Sequence, residues 1–298
     1  MMDINYSPKV SVIIPTYKRP DTLDRAIKSV LNQTYPDVEV IVVDDNNPDT
    51  EGRRLTEEKM AIFAGNPRVK YIKHEKNKNG SAARNTGAKN SNAKYIAFLD
   101  DDDEFYPEKI ETQVKRLEEL SNDYAVCYSS VVYEKENGVI RYSKETREGD
   151  LFFDALTRNL SIQAGSNLFI RKDAFDSIGG FDESFRRSQD KEIVTRLLKK
   201  YKIAFAPVKG VLAHVYADHS FFNPLEITDY YVEKMQPFVE TLPVDQQKRY
   251  IKEINKQRFY YALSRKNFGL ALLLVLSLKV SLLDAFKIIL KGIRNKMG

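Results

Sequence analysis

VSVIIPTYKRPDTLDRAIKSVLNQTYPDVEVIVVDD, residues 10 to 45, sets two apolar runs on either side of one amphipathic segment. VSVIIPTY (10–17) is β-branched and stopped by Pro15, and VEVIVVDD (38–45) ends in paired carboxylates; both read as buried strands. Between them Leu23, Ala26, Ile27, Val30 and Leu31 recur at helical spacing, with Asp21 placed to cap the helix start. Downstream, RVKYIKHE (68–75) reads as a third strand, GSAARNTGAKNS (80–91) as a helix and AKYIAFLDDDD (93–103) as a fourth strand. Strand, helix, strand, strand, helix, strand in this rhythm predicts an α/β fold with a mostly parallel sheet flanked by helices. Ligands of such sheets bind off the carboxyl ends of the strands. The polar residues gather there: Thr16 and Tyr17, Asp44 and Asp45, then Asp100 to Asp103.

The later chain keeps the alternation for a while. PEKIETQVKRLEEL (107–120) is a charged amphipathic helix, AVCYSSVVYEK (125–135) a strand, and SNLFIRKDAFDSIGG (166–180) a strand and helix closed by a Gly-Gly turn. QDKEIVTRLLKKY (189–201) is a further helix before the strand KIAFAPVKGVLAHVY (202–216), and from Phe221 onward only helical patterns remain. EKENGVIRYSKETREG (134–149) reads as a mobile loop.

Composition narrows the class. The 298 residues, 42% hydrophobic and 30% charged, fit an ordinary globular protein with a sizeable core. One cysteine, Cys127, permits no internal disulfide and points to a reducing compartment, and it reads as core packing. MMDINYSPKV has no secretory pattern and no apolar run reaches a spanning length, so the expected location is cytoplasmic. The net charge of +5 is uneven: residues 245–298 hold 12 Lys and Arg against 3 Asp and Glu, leaving the first 244 residues at −4. Basic character therefore belongs to the tail, and no nucleic-acid groove is expected in the main domain.

Four consecutive aspartates need an explanation. Two unit charges about 4 Å apart repel by roughly 1 kcal/mol in water and about four times that in a half-buried site. Such a run is either fully solvated, as an acidic turn capping the next helix, or neutralised by something cationic. In an extended segment Asp100 shares a side with Asp102, and Asp101 with Asp103. A carboxylate pair at the mouth of a sheet suits Mn²⁺ or Mg²⁺, which complete their shells with phosphate oxygens. GxGxxG after the first strand and GxxxxGK[ST] are both absent, so neither a dinucleotide fold nor a P-loop is supported.

Three stretches carry a resemblance: VSVIIPTYKRPDTLDRAIKSVLNQTYPDVEVIVVDDNN, NGSAARNTGAKNSNAKYIAFLDDDDEFYP and GGFDESFRRSQDKEIVTRL. In order and spacing the chain resembles the family 2 glycosyltransferases of the GT-A fold, over roughly residues 9 to 222. That resemblance implies a Rossmann-like sheet, a sugar-nucleotide donor, a divalent metal, inversion at the anomeric carbon and a saccharide or lipid-linked acceptor. It implies residues 1–105 as the nucleotide-sugar half, 106–222 as the acceptor half and 223–298 as a helical appendage. Pro15, Thr16 and Tyr17 would border the nucleoside, with Asp45 reading N3–H of uracil and so favouring a UDP-sugar; Asp44 is the structural alternative. Arg84 would face the ribose or diphosphate, beside the backbone room left by Gly80. The last aspartate of the DXD element would bind the metal, which places it at Asp102 with Asp100 as partner, although Asp101 with Asp103 gives a second register. Asp190 would be the general base, with Glu192 as the nearest alternative and Gln189 standing where many relatives have Glu; Asp182 and Glu183 would stabilise the turn. A histidine from LAHVYADHS, His219 before His214, would add a metal ligand, and His74 reads as structural.

In the tail, RKNFGLALLLVLSLKVSLL is the most apolar run, and Leu282, Phe286, Ile289, Leu290 and Ile293 share a helical face behind it. Lys287, Lys291 and Arg294 repeat on another face, the pattern of a helix lying on an anionic membrane surface. A second subunit, giving a homo-oligomer, is the alternative partner. Two other functions stay open from the residues alone: a nucleotidyltransferase, which PTYKRPDT matches poorly, and a non-catalytic nucleotide-sugar-binding scaffold.

Overall fold

The computed structural model describes residues 8–135, 137–216, 223–277 and 279–297. Its chain divides into two compact units, Met1–Ala217 and Asp218–Gly298.

The first unit opens with β1 (Val10–Thr16), α1 (Pro20–Leu31), β2 (Val38–Asp44), α2 (Glu51–Ala61), β3 (Val69–Lys73), α3 (Gly80–Lys89) and β4 (Tyr95–Phe98). It continues through β5 (Glu104–Phe105), α4 (Lys109–Glu118), β6 (Tyr124–Lys135), β7 (Ile140–Tyr142), α5 (Phe152–Leu156) and α6 (Ala164–Asn167). The unit closes with β8 (Phe169–Arg171), α7 (Lys172–Ser177), α8 (Gln189–Leu198) and β9 (Lys202–Val215). The strands form one sheet in the order β3-β2-β1-β4-β8-β6-β9-β5, with β7 paired to β6. β1, β2, β3, β4, β6 and β9 run one way, while β5, β7 and β8 run against them. The sheet is thus mostly parallel, with β8 reversed between β4 and β6.

Period-two alternation divides the core between the two faces. Val10, Val12 and Ile14 of β1 pack with Leu23, Ile27 and Val30 of α1, whereas Ile13 packs on the opposite face with Ala83 of α3 and residues of α7 and α8. Both strands of the opening crossover are buried throughout, save for half-buried Pro15, which explains their unbroken apolar runs.

Three local expectations are corrected. Asp21 does not cap α1: the helix starts at Pro20, with Arg19 at the cap position and no side-chain cap, and Asp21 lies in the first turn, where a negative charge still favours the helix. A helix stands between β2 and β3, where the sequence pattern showed none. α2 buries only Arg53, Thr56 and Met60, so it has almost no apolar period, and it starts instead on a Thr50 cap that accepts from Arg53 N. Residues 134–149 are not simply a loop: β7 pairs with β6, and Gly149 N donates to Ile203 O at 2.8 Å.

The second unit is helical, with α9 (Pro224–Glu240), α10 (Val244–Ser264), α11 (Phe268–Leu276) and α12 (Leu282–Met297). α10 packs against the other three. Its Phe259 and Ala262 form a small core with Ala271, Leu274, Val280 and Ala285. Among the described residues no helix is long and apolar enough to cross a membrane.

Candidate active site

β1 pairs in parallel with β2 on one side and β4 on the other. The chain order reverses across β1, the place at which such sheets bind ligands, past the carboxyl ends of the strands. The aspartates stand at this point. Asp101 and Asp103 are buried, 5% and 4% exposed. The side chains of Asp100 and Asp102 keep 33% and 17% of their surface.

Each acid has protein partners. Arg19, just past β1, pairs with Asp101 at 3.2 Å and also with Asp102. Arg25 donates to the Asp102 carbonyl at 2.9 Å and pairs with Glu104 at 3.1 Å. Arg84, from α3, pairs with Asp100. The Ser166 hydroxyl donates to Asp103 at 2.6 Å and accepts from Asp100 N at 3.0 Å, and His214 N donates to the other Asp103 oxygen at 3.1 Å. Burial nevertheless pushes the Asp101 carboxyl up to about 7, against the pull of Arg19. Burial and the charge of Asp100 raise Asp103 to about 7 as well. Asp102 is raised in the same way, by burial first and then by Asp100, again against Arg19. The sequence reading foresaw a neutralising cation but missed Arg19 as one; its only trace was a KR pair immediately behind the first strand.

The two registers of the acidic run differ in exposure. All four acids have protein partners, but the side chains of Asp100 and Asp102 keep more exposed surface than the buried Asp101 and Asp103. Asp100 and Asp102 are thus the residues of the run that would hold a divalent cation, which takes oxygen ligands. Among the described residues no three or more His, Cys, Asp or Glu side chains gather into a closed metal site. His219 lies outside the described residues. His214 turns its ring away to Glu104, at 2.9 Å, and Glu134, at 3.3 Å.

At the carboxyl end of β1, Thr16 is buried, Pro15 half-buried and Tyr17 42% exposed. Asp44 is fully buried, paired with Arg53 at 3.1 Å and accepting from Tyr71 at 2.6 Å and from Asn46 N at 2.9 Å. It holds the loop. Asp45 is also buried, with both carboxylate oxygens engaged: Oδ1 by His74 and Lys78 N, each at 2.8 Å, and Oδ2 by Asn77 Nδ2 at 2.8 Å and Asn79 N at 2.9 Å. His74 bridges Asp45 to Thr86 at 2.8 Å. Arg84 is buried, donates to Gly80 O at 3.2 Å and stacks near Phe181 besides holding Asp100.

α3 is tied to the GGFDE turn. Asn85 accepts from Phe181 N at 2.8 Å and donates to Phe181 O at 2.9 Å and to Glu183 at 3.0 Å; Asp182 accepts from Ser184 N at 2.8 Å. Gly180, with φ of +73°, is required here, because a Cβ would lie 2.6 Å from Asn85 Oδ1. Past the turn, Glu192 is buried and clamped by Arg196, which also donates to Ile178 O and Gly180 O at 2.7 Å each. Asp190 is different. It sits in the first turn of α8, half-buried, with no hydrogen bond or ion pair among the described residues, and it lines a cavity of roughly 210 Å³.

The segment from Leu160 to Asn167 connects these places. Leu160 to Gln163 line the Asp190 cavity, and α6 packs on β4 and α8. Gly165 approaches Asp100 so closely that a Cβ would lie 2.6 Å from its Oδ2. Sequence reasoning gave this segment no role, since a helix of four residues leaves no period to read.

The family model described as glycosyl transferase family 2 matches residues 11–179. The chain belongs to this family. An uncharacterized glycosyltransferase of Rickettsia prowazekii is 31% identical over 245 residues, which is 80% of this chain and 73% of that one. A Campylobacter jejuni relative, the GalNAc(5)-diNAcBac-PP-undecaprenol beta-1,3-glucosyltransferase, is 33% identical over 133 residues, covering 44% and 41%. Against the uncharacterized glycosyltransferases of Rickettsia conorii and Rickettsia felis the match spans only 22% of the relative's length. Among solved structures, Staphylococcus aureus TarS residues 1–349, in complex with UDP-GlcNAc, has a TM-score of 0.62 at 16% identity, over 86% of this chain and 73% of that one. The fold is therefore of the GT-A type known for family 2.

Proposed function

We propose that this family 2 glycosyltransferase moves a sugar from a UDP-sugar to a saccharide or lipid-linked saccharide hydroxyl, with inversion and with Asp190 as the general base. The observation that carries this reading is the unengaged carboxylate of Asp190, on a cavity lined up to Gln163, two residues before Gly165 packs against Asp100. The acceptor oxygen attacks the anomeric carbon as its bond to the diphosphate breaks, and the hydroxyl proton passes to Asp190. Asp102, with Asp100, would hold Mn²⁺ or Mg²⁺, which when bound supplies positive charge against the departing diphosphate. Arg19 and Arg84 hold the two acids in place for that task. Pro15, Thr16 and Tyr17 border the nucleoside. For Asp45 to accept from uracil, one of its present donors must yield, Asn77 Nδ2 being the side-chain amide among them. The uridine choice is supported by a structural relative solved with UDP-GlcNAc, and the lipid-linked acceptor by the name of the Campylobacter relative.

Titration of UDP and GDP by calorimetry, each with and without Mn²⁺, tests the donor site. Mn²⁺-dependent UDP binding is expected. A preference for GDP would remove the uridine assignment, and absence of all nucleotide binding would leave the non-catalytic scaffold ahead.

The second unit adds a membrane partner. Large apolar residues of α11 and α12 face outward, Leu276 at 71% and Leu282 at 77% exposed, while the smaller Ala271 and Ala285 point into the core. Exposed Lys266, Lys279 and Lys287 lie in the same stretch. An apolar surface in a segment of net +9 matches an anionic lipid surface, whereas a second copy would bring like charges together. We place the protein on the cytoplasmic face of the membrane by this contact.

A further inference from the structure

The cavity beside Asp190 carries more charge than the proton transfer needs. Arg158 and Lys191 line it together with Asp190, Ser161 and Gln163, so two cations face one carboxylate. The Lys191 ammonium is half-buried and makes no hydrogen bond or direct ion pair among the described residues. Burial and the charge of Arg158 lower its pKa, and Asp190 compensates only in part. A cation kept in such a place without a dedicated partner is poised for an anion supplied from outside.

The backbone around the cavity supports a built site. Arg158, Gln163 and Ser188 all take positive φ, at 58°, 53° and 60°. Non-glycine residues hold that conformation at a cost, and such strain collects where a binding surface is fixed. α8 also begins without a side-chain cap, which leaves its positive end directed at the same region. At roughly 210 Å³ the cavity is smaller than the 300–1,000 Å³ or so typical of whole ligands, so it suits one sugar-sized group.

We propose that this cavity is an acceptor subsite in which Arg158 and Lys191 receive an anionic substituent, a carboxylate or a phosphate, on the acceptor sugar. The proposal rests on the glycosyl transfer reading and names the substrate class of that site. The acceptor thus brings its own counter-charge and leaves Asp190 free to take the proton.

The test titrates ¹⁵N-labelled protein, saturated with UDP, with methyl glucoside, methyl glucuronide, glucose 6-phosphate and inorganic phosphate. The expected result is that an anionic sugar binds about tenfold or more tightly than methyl glucoside, as a charge-assisted contact would give. Lys191→Gln should erase that difference while UDP affinity stays unchanged. The glucuronide against the sugar phosphate then separates the two sources of charge. Equal binding of all three sugars, inorganic phosphate binding as tightly as glucose 6-phosphate, or an anionic preference that survives in both Lys191→Gln and Arg158→Gln would overturn the proposal. Loss of UDP binding with the anionic preference intact would instead strike the donor reading alone.

Discussion

Neighbouring acids in this protein are told apart by what already holds them. Asp190 and Glu192 are two residues apart on α8, yet only Glu192 is buried and clamped by Arg196. Asp190→Asn should leave UDP affinity and melting temperature near those of the wild type while turnover falls by about 10²–10⁴, the usual worth of a general base. Glu192→Gln should do the opposite. It leaves Arg196 without its counter-charge, at a stability cost on the order of 3–5 kcal/mol, so a lower melting temperature is the expected reading. Lys109 offers a pH signature away from the site. It is fully buried, donates to Gln113 at 2.5 Å and lies 4.4 Å from the Phe105 ring centroid. Burial pushes its ammonium down to about 7. The unfolded chain keeps that proton to about pH 10.4, so between those values it binds more protons than the folded one and stability rises with pH. The cost of burying the charge is complete below pH 7. Lys109→Met should therefore melt higher than wild type at pH 7, with the gap closing toward pH 10, and thermal melts across that range check it.

Elements were legible in the sequence in proportion to the apolar surface they bury. β1, β2 and β4 are buried on both faces and stood out as unbroken apolar runs. α2 rests on a cap and on Arg53, which pairs with Asp44 and donates to His74 O at 2.7 Å, so no hydrophobic period announced it. The reversed direction of β8 was not readable either, because three buried residues carry no polarity. The acids and their order along the strand ends were visible; that Arg19 and Ser166 reach them depends on packing between segments distant in sequence. α6 gives this a measurable consequence. Gly165→Ala would drive a Cβ to within 2.6 Å of Asp100 Oδ2, and either α6 or the acid must move. Mn²⁺-dependent UDP affinity should fall by about tenfold, with a loss of stability of only about 1–3 kcal/mol as for other overpacked sites. Unchanged affinity would remove Asp100 from the proposed metal site.

At the scale of the whole chain, charge is divided along the sequence, with net −4 over residues 1–244 and net +9 over residues 245–298, so the positive excess lies in the last three helices of the second unit. The sequence showed this asymmetry and a basic amphipathic pattern, but it could not show which apolar residues the helices bury against each other. The structure gives inward places to Ala271, Leu274, Val280 and Ala285, and leaves Leu272, Leu273, Leu276, Leu282, Leu283 and Phe286 outside. Cutting the tail away would be an ambiguous test, since α10 relies on α11 and α12 to cover Phe259 and Ala262. Point changes on the outer surface avoid that difficulty. Leu276→Glu with Phe286→Glu should leave the melting temperature within a few degrees of wild type, because both side chains already face solvent. The same pair should remove binding to vesicles containing phosphatidylserine, through lost apolar contact and added repulsion from the anionic surface. Wild-type binding should weaken as salt rises, because the lysine contribution is screened, while part of it persists through the apolar side chains. Binding to neutral vesicles as strong as to anionic ones would assign the surface to apolar contact alone. Wild-type protein that ignores vesicles but dimerises, and a double variant that stays monomeric, would move the surface from lipid to a second copy.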